Sequence, residues 1–264
     1  MGRKANTAIA IDHSLLMVKA GLTPDPWQAD ILRSRYPAVI LNCHRQAGKS
    51  AVMAAAAVIE SQYYAPSVTL VLCPSERQSK ELFHTAIGMW ETLDARILPD
   101  TLNTTSVEFA SGSRIVALPS TEKNIRGFSR IALLIIDEAA RVGDDLYHSV
   151  KPMLAVSNGR IALLSTPFGK RGFYHKEWTE GVGWHRVKVT ADQCPRITTD
   201  FLAGEKRSLP DAWYRQEYMC EFAETDDAVF SHDDVKRAIT SDVQPLWMPS
   251  ELPPAPTCAT LDLG

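Results

Sequence analysis

The chain has no pattern that would bind a metal through sulfur or staple the fold with disulfides. Its five cysteines, Cys43, Cys73, Cys194, Cys220 and Cys258, are scattered, with no C-x-x-C pair and no histidine cluster at ligand spacing, which argues against a zinc site and a disulfide framework. They are expected to be free thiols in a reducing cytoplasm. No apolar run approaches the roughly 20 residues of a membrane span. The opening MGRKANTAIAIDHSLL lacks the apolar core and cleavage site of a secretory signal, so the protein is expected to stay where it is made, with no membrane partner. Charge of one sign is also missing. A formal net charge of −3 announces no bulk nucleic-acid binder, although a local basic groove remains compatible with it. Internal repeats are absent. What is there, 264 residues of which 45% are hydrophobic and 22% charged, is a globular composition long enough for one domain or slightly more.

Short, nearly continuous apolar runs alternate with helical patterns, the layout of a parallel sheet covered by helices on both faces. The runs are 38–43, 68–73, 131–136 and 160–165, each closed by polar or Gly/Pro punctuation, as strands buried on both faces are. Ligands of such sheets bind beyond the carboxyl ends of the strands, so chemistry is sought in the polar clusters that follow these runs. SVEFASGSRIVALPS, 106–120, alternates on either side of Ser111-Gly112 and predicts an antiparallel hairpin inserted before Ile131. Helices are expected at 49–64, 76–93, 144–154 and 211–222. Proline-dense QPLWMPSELPPAPT suits neither helix nor central strand and predicts a linker over 244–256. After it TCATLDLG opens a fresh strand pattern, the first strand of a second domain at 257–264. The first domain is then 1–243, with a helical lid or linker region from about 191.

The chemistry begins at LNCHRQAGKS, 41–50. A phosphate loop of the usual kind reads G-x-x-x-x-G-K-[ST]; here Gly48, Lys49 and Ser50 are in place, while Cys43 stands at the first glycine. The context suits such a loop, with a buried strand before it and the Ala-rich helix SAVMAAAAVIE after it. Backbone N–H groups of the turn and helix start would face an anion, Lys49 would add a point charge on the outer phosphates, and Ser50 would ligate Mg²⁺. Taken alone, Gly-Lys-Ser is also an ordinary helix start. IALLIIDEAA ends a buried strand in Asp137-Glu138, adjacent carboxylates that are costly unless they have partners or work. In a nucleotide site Asp137 holds the Mg²⁺ shell and Glu138 polarises the attacking water; otherwise the pair caps the next helix. The two motifs, expected on neighbouring strands, predict nucleotide hydrolysis. A glutamate directly after the aspartate favours water over a small-molecule acceptor. Ser165 and Thr166 in LLSTPFG would stand beside these carboxylates and relay the state of a γ-phosphate, or form a plain Ser-Thr-Pro turn. Gln28 in TPDPWQADIL, on a short helix, offers an amide to an adenine edge with Trp27 beneath it, though an isolated Gln is commonly only solvated.

With these four elements in this order, the chain resembles the ATPase domain of a large terminase subunit, the motor that packages DNA into tailed-phage and herpesvirus-type capsids. The resemblance runs from Pro26 to the final TLDLG. It implies an α/β P-loop NTPase fold of the ASCE, RecA-like kind with a mainly parallel central sheet. It also accounts for Cys43, because the family's loop reads Arg-x-x-Gly-Lys-[Ser/Thr], and Arg45, Gln46, Ala47, Gly48, Lys49 and Ser50 fit it as the ATP-binding run. By the same resemblance Arg45 reaches the γ-phosphate from within the subunit. Lys49, Ser50, Asp137 and Glu138 keep the roles above, Ser165-Thr166 is the coupling motif, and Pro26-Trp27-Gln28 is the adenine-recognising motif. GSRIVALPSTEKNIRGFSR, 112–130, resembles the family's segment ahead of the Walker B strand. Within it Arg126 is the candidate finger on a neighbour's ATP and Arg130 the second; either is otherwise a solvated loop charge. The family carries a ribonuclease H-like domain whose carboxylates bind two metal ions. Asp262 stands where the first of these would be and the others are absent, so nuclease activity is not expected of this chain. Implied as cofactors are ATP and Mg²⁺. Implied as partners are double-stranded DNA, a portal protein, a small terminase subunit and copies of the chain itself in a homo-oligomeric ring, in the host cell cytoplasm.

Two other readings stay open. A superfamily 2 helicase or DNA translocase shares the Gln motif, the phosphate loop, a D-E-x-x box and a Ser/Thr motif in this order. CPSERQSKELF, 73–83, resembles a helicase element that grips a nucleic-acid backbone, but 244–264 leave no room for a second RecA-like domain. The other reading is a nucleotide-binding scaffold that never hydrolyses, against which Lys49 and Glu138 speak. Candidates for facing DNA are Lys170, Arg171 and the region 77–80. The aromatics of DAWYRQEYMCEFAE, 211–224, read as core rather than as base-stacking groups.

Overall fold

Eight strands and nine α-helices lie along the residues that the computed structural model describes, 2–94, 96–121 and 125–223. The first part of the chain comprises α1 (Gly2–Ile11), α2 (Leu15–Lys19), α3 (Pro26–Ser34), β1 (Ala38–Cys43), α4 (Lys49–Tyr63), β2 (Val68–Cys73) and α5 (Glu76–Glu91). Then come β3 (Pro99–Leu102), β4 (Ser106–Phe109), β5 (Arg114–Pro119), β6 (Ile131–Asp137), α6 (Asp144–Val150) and β7 (Arg160–Ser165). The last elements are α7 (Gly172–Thr179), β8 (His185–Val189), α8 (Thr199–Ser208) and α9 (Asp211–Glu217). The expected linker 244–256, the strand 257–264 with Cys258 and Asp262, and the lid beyond 223 lie outside the described residues. Among the described residues no helix is long and apolar enough to cross a membrane.

The strands form one sheet in the order β3-β4-β5-β2-β6-β7-β1-β8. Pairing is parallel from β5 through β8 and antiparallel only for β3 with β4 and β4 with β5. The reason is legible in the side chains, because alternate residues of each central strand feed opposite layers of core. Val39, Leu41 and Cys43 of β1 and Leu133 and Ile135 of β6 join the core built with α4 and α5. Ile40, Leu134 and Ile136 join the core built with α6 and α7. Helix α4 is buried nearly all round, and its run of alanines lets it lie close against the sheet. The α/β fold with a mainly parallel sheet flanked by helices is therefore as the sequence implies.

Five details differ from expectation. The phosphate-loop strand β1 and the carboxylate strand β6 are not neighbours; β7 lies between them and pairs in parallel with both. All three runs are similarly apolar, so nothing local distinguishes which pairs with which. The hairpin about Ser111-Gly112 is present, but β5 joins β2 and extends the main sheet, with short β3 at the edge. Neither β3 nor β8 was expected, because PDTL is polar and HRVKV carries charges that suit a sheet edge. The helix expected over 144–154 stops at Val150 and continues as a 3₁₀ turn, where Pro152 lacks the N–H an α-helix needs. The one expected over 211–222 ends at Glu217, and the chain turns back to the sheet through Cys220, whose φ is 54°.

At the amino ends of the strands lies a buried charge cluster. Glu60, at the end of α4 and 4% exposed, pairs with Arg35 at 2.8 Å and Arg160 at 3.0 Å. It joins α4 to the residues before β1 and at the start of β7.

Candidate active site

Beyond the carboxyl end of β1, residues 44–48 turn sharply before α4. Gln46 (φ 61°) and Gly48 (φ 85°) both take the left-handed conformation, which points successive N–H groups inward as an anion-binding nest. Gly48 has a φ that suits glycine, and a Cβ there would meet Gln28 Nε2 at 2.5 Å, so that the end of the Gln28 side chain would have to shift. Cys43 is fully buried in the core under α4, where burial pushes its thiol up to about 12. The position that usually holds glycine is thus filled by a small inert apolar group. Lys49, 6% exposed, curls back so that Nζ donates to the carbonyls of Cys43 and His44, each at 3.1 Å.

Asp137 closes β6 and is 7% exposed. Its Oδ2 accepts from Ser50 Oγ at 2.9 Å and its Oδ1 from the Glu138 N–H at 2.9 Å. Burial, helped by the neighbouring Glu138 charge, raises its carboxyl to about 6. Glu138 has φ 48° and ψ 44°, unusual for a residue with a side chain, and its carboxylate makes no capping bond to the following turn. Helix capping therefore does not explain the pair. Ser165 Oγ donates to Glu138 Oε2 at 3.3 Å, and Thr166, 2% exposed, follows it. The intervening β7 is what brings these hydroxyls between the two motifs. Tyr174 OH fixes that arrangement by donating to Leu41 O at 2.8 Å and Ser165 O at 3.4 Å.

These groups surround a pocket of about 360 Å³, lined by the run from Arg45 to Ala51 and, across from it, by Gln78, Glu138 and Arg141. Arg45 Nε donates to Glu217 Oε2 on α9 at 2.6 Å. Arg141 escapes a motif reading, and Gln78 falls within 73–83, a stretch read for nucleic-acid contact rather than for this pocket. Gln78 follows the carboxyl end of β2, a place the strand-end rule marks, and its Oε1 accepts from Ser75 Oγ at 2.9 Å. Arg141, three residues after Glu138, lies over the Phe168 ring at 4.2 Å, and Arg171 lies 5.0 Å from the same ring. Gln28 is 3% exposed and lies against the back of the loop, outside the pocket lining. Its Oε1 accepts from the Asp25 N–H at 2.8 Å, and its Nε2 donates to the carbonyls of Ala47 and Gly48, both at 3.3 Å. Arg126 lies in a 3₁₀ turn, Ile125–Gly127, its side chain outside the described residues; Arg130 is exposed, with φ 57°. Arg130 does not line the pocket. Among the DNA-facing candidates, Arg77 and Arg171 are exposed and Lys80 pairs with Glu76 at 2.6 Å.

Residues 41–237 match the family described as terminase large subunit, T4likevirus-type, N-terminal. The chain belongs to that family. The terminase large subunit of Thermus phage G20c is 25% identical over 254 residues, covering 80% of this chain and 51% of that protein. The chain thus spans about half the length of that relative. The solved ATPase domain of the large terminase from Thermus phage P74-26 superposes with a TM-score of 0.66 at 19% identity, over 78% of this chain and 97% of the other. The large terminase of another thermophilic bacteriophage, solved in complex with ADP, gives a TM-score of 0.64 at 11% identity, over 76% of this chain and 54% of the other. Family membership sets the helicase reading aside.

Proposed function

We propose that this terminase domain hydrolyses ATP and that hydrolysis drives double-stranded DNA into a viral procapsid. The observation that carries the reading is the convergence, around one pocket of about 360 Å³, of a phosphate nest, a lysine, a hydroxyl–carboxylate pair and a second carboxylate held by a serine. The large terminase solved in complex with ADP supports nucleotide as the ligand. The nest and Lys49 bind the phosphates. Arg45 adds positive charge at the γ-phosphate, where negative charge moves in the transition state. Glu138 orients water and takes its proton. Gln28 acts at the adenine end or, through its bonds to the Ala47 and Gly48 carbonyls, on the shape of the loop.

Ser50 Oγ and Asp137 Oδ2 are hard oxygen donors side by side, which suits Mg²⁺. The remaining ligands would be phosphate and water, as Mg²⁺ prefers. When bound, Mg²⁺ would neutralise phosphate charge and Asp137. Ser165 and Thr166 relay the γ-phosphate state through Glu138, and Arg126 of one copy acts on a neighbour's ATP. The domain is 1–243, followed by a linker at 244–256 and the start of a nuclease domain at 257–264, where Asp262 would be one metal ligand. Portal protein, small terminase subunit and other copies in a ring complete the assembly, in the host cytoplasm.

The test is Mg²⁺-dependent phosphate release from ATP across protein concentrations. The expected outcome is turnover that Lys49→Ala abolishes and that rises steeply per molecule with concentration, as a finger in trans requires. ATP binding without turnover, with DNA and portal supplied, would leave a scaffold instead. No ATP binding would sink the reading.

A further inference from the structure

We infer that Glu217 is a positioning residue for Arg45, gripping its guanidinium by the Nε edge so that the terminal nitrogens are presented to the γ-phosphate; this rests on the reading of Arg45 above. The contact is Arg45 Nε to Glu217 Oε2, 2.6 Å. Its two ends are unequal: the Arg45 side chain is 67% exposed, that of Glu217 only 9%. Water would solvate Arg45 without help, so the pair adds little to its stability. A nearly buried carboxylate, by contrast, is unfavourable unless paired. Glu217 is also the last residue of α9, the end at which the helix dipole repels a negative charge. A glutamate in so poor a place is explained by what it does to its partner. Binding through Nε leaves the side of the fork that meets phosphate with two parallel N–H bonds.

Glu217 is itself held in register with the phosphate loop. The Val189 carbonyl at the end of β8 accepts from the His44 N–H at 3.0 Å and from Cys220 Sγ at 3.1 Å. One carbonyl therefore ties the residue before Arg45 to the third residue after Glu217. Asn42 Nδ2 donates to Cys220 O at 3.0 Å, and the Ala191 N–H donates to Tyr218 O at 2.8 Å. The Arg45–Glu217 bond closes a ring of contacts whose other side is already fixed, which is the condition for one side chain to aim another.

The experiment compares ATPγS and ADP binding to the whole chain for the wild type, Glu217→Gln, Glu217→Asp, Arg45→Ala and Arg45→Ala/Glu217→Gln, with thermal melts alongside. Glu217→Gln is expected to weaken ATPγS about tenfold, the loss of one charge-assisted hydrogen bond, and to leave ADP within about twofold. Glu217→Asp, which keeps the charge, recovers part of the loss. In the Arg45→Ala background Glu217→Gln has no further effect. Parallel loss of both nucleotides, additive losses, or tighter ATPγS binding by Glu217→Gln would each overturn the inference, the last because the carboxylate would then compete with phosphate. If Arg45→Ala leaves the ATPγS to ADP ratio unchanged, the reading of Arg45 fails and this inference with it. If Arg45→Ala lowers the ratio and Glu217→Gln does not, Glu217 alone is misassigned.

Discussion

The two ends of the central sheet treat buried charge in opposite ways. At the amino ends, Glu60 is surrounded by Arg35 and Arg160, and Arg35 also stacks 3.3 Å above the Tyr64 ring. At the carboxyl ends, Asp137 and Glu138 are adjacent like charges, Glu138 has a left-handed backbone, and Asp137 is raised to about 6. One carboxylate is neutralised by cations of the fold itself. The other two face hydroxyls, Ser50 at Asp137 and Ser165 at Glu138, and Glu138 also lines an open pocket, an arrangement that is stable only because the rest of the fold over-determines it. Charge that the fold completes is architecture, and charge that it leaves incomplete is a site for something else.

Substitutions at the two ends should separate in kind. Glu138→Gln is expected to lower ATP turnover about 10²- to 10⁴-fold, the range of a general base, while the melting temperature stays near that of the wild type. Retained turnover would remove Glu138 from the chemistry. Glu60→Ala should act the other way, costing about 3 kcal/mol in urea unfolding because two half-buried guanidiniums lose their partner. A loss of ADP affinity in its folded fraction would break the contrast between the ends. Gly48→Ala is expected to cost about 1–2 kcal/mol for the left-handed backbone. Its steric part should be relieved by Gln28→Ala, because the added Cβ would meet Gln28 Nε2; failure of that relief would show the strain to lie in the backbone alone.

The smallest effect concerns pH at the amino end. His13, whose ring lies 5.6 Å from that of Tyr64, has its pKa lowered first by burial and further by the Arg35 and Arg160 charges, against the raising effect of the Leu32 carbonyl and Asp12. The unfolded chain therefore binds the proton more readily. Stability present at neutral pH should decline as pH falls below about 6.5, the unfolded value, until the folded pKa is passed. Urea titrations of wild type and His13→Gln, at mildly acidic and neutral pH, would show a smaller loss of stability with acid in the variant, His44, which burial also lowers, keeping its own share.

What could be read from the chain was whatever depends on near neighbours. The four apolar runs became β1, β2, β6 and β7 because alternate residues of a doubly covered strand are apolar whatever the strand pairs with. The phosphate loop was legible because its chemistry needs Gly48, Lys49 and Ser50 in succession. Strand order was not legible: β6, β7 and β1 are interchangeable by composition, and the packing of crossover helices decides that β7 lies between the other two. Gln78 was read only as part of 73–83, a stretch taken for nucleic-acid contact, and Arg141 belongs to no motif; the pocket wall they share exists only once α5 and the turn after β6 face the loop.

By itself, then, the sequence determined the fold class, the family and the run that forms the phosphate nest, since each is written in residues a few positions apart. Only the tertiary structure decided that Ser165 meets Glu138 and that Arg45 meets Glu217 across 172 positions. A side chain's partner at that separation is set by topology, which no local pattern encodes.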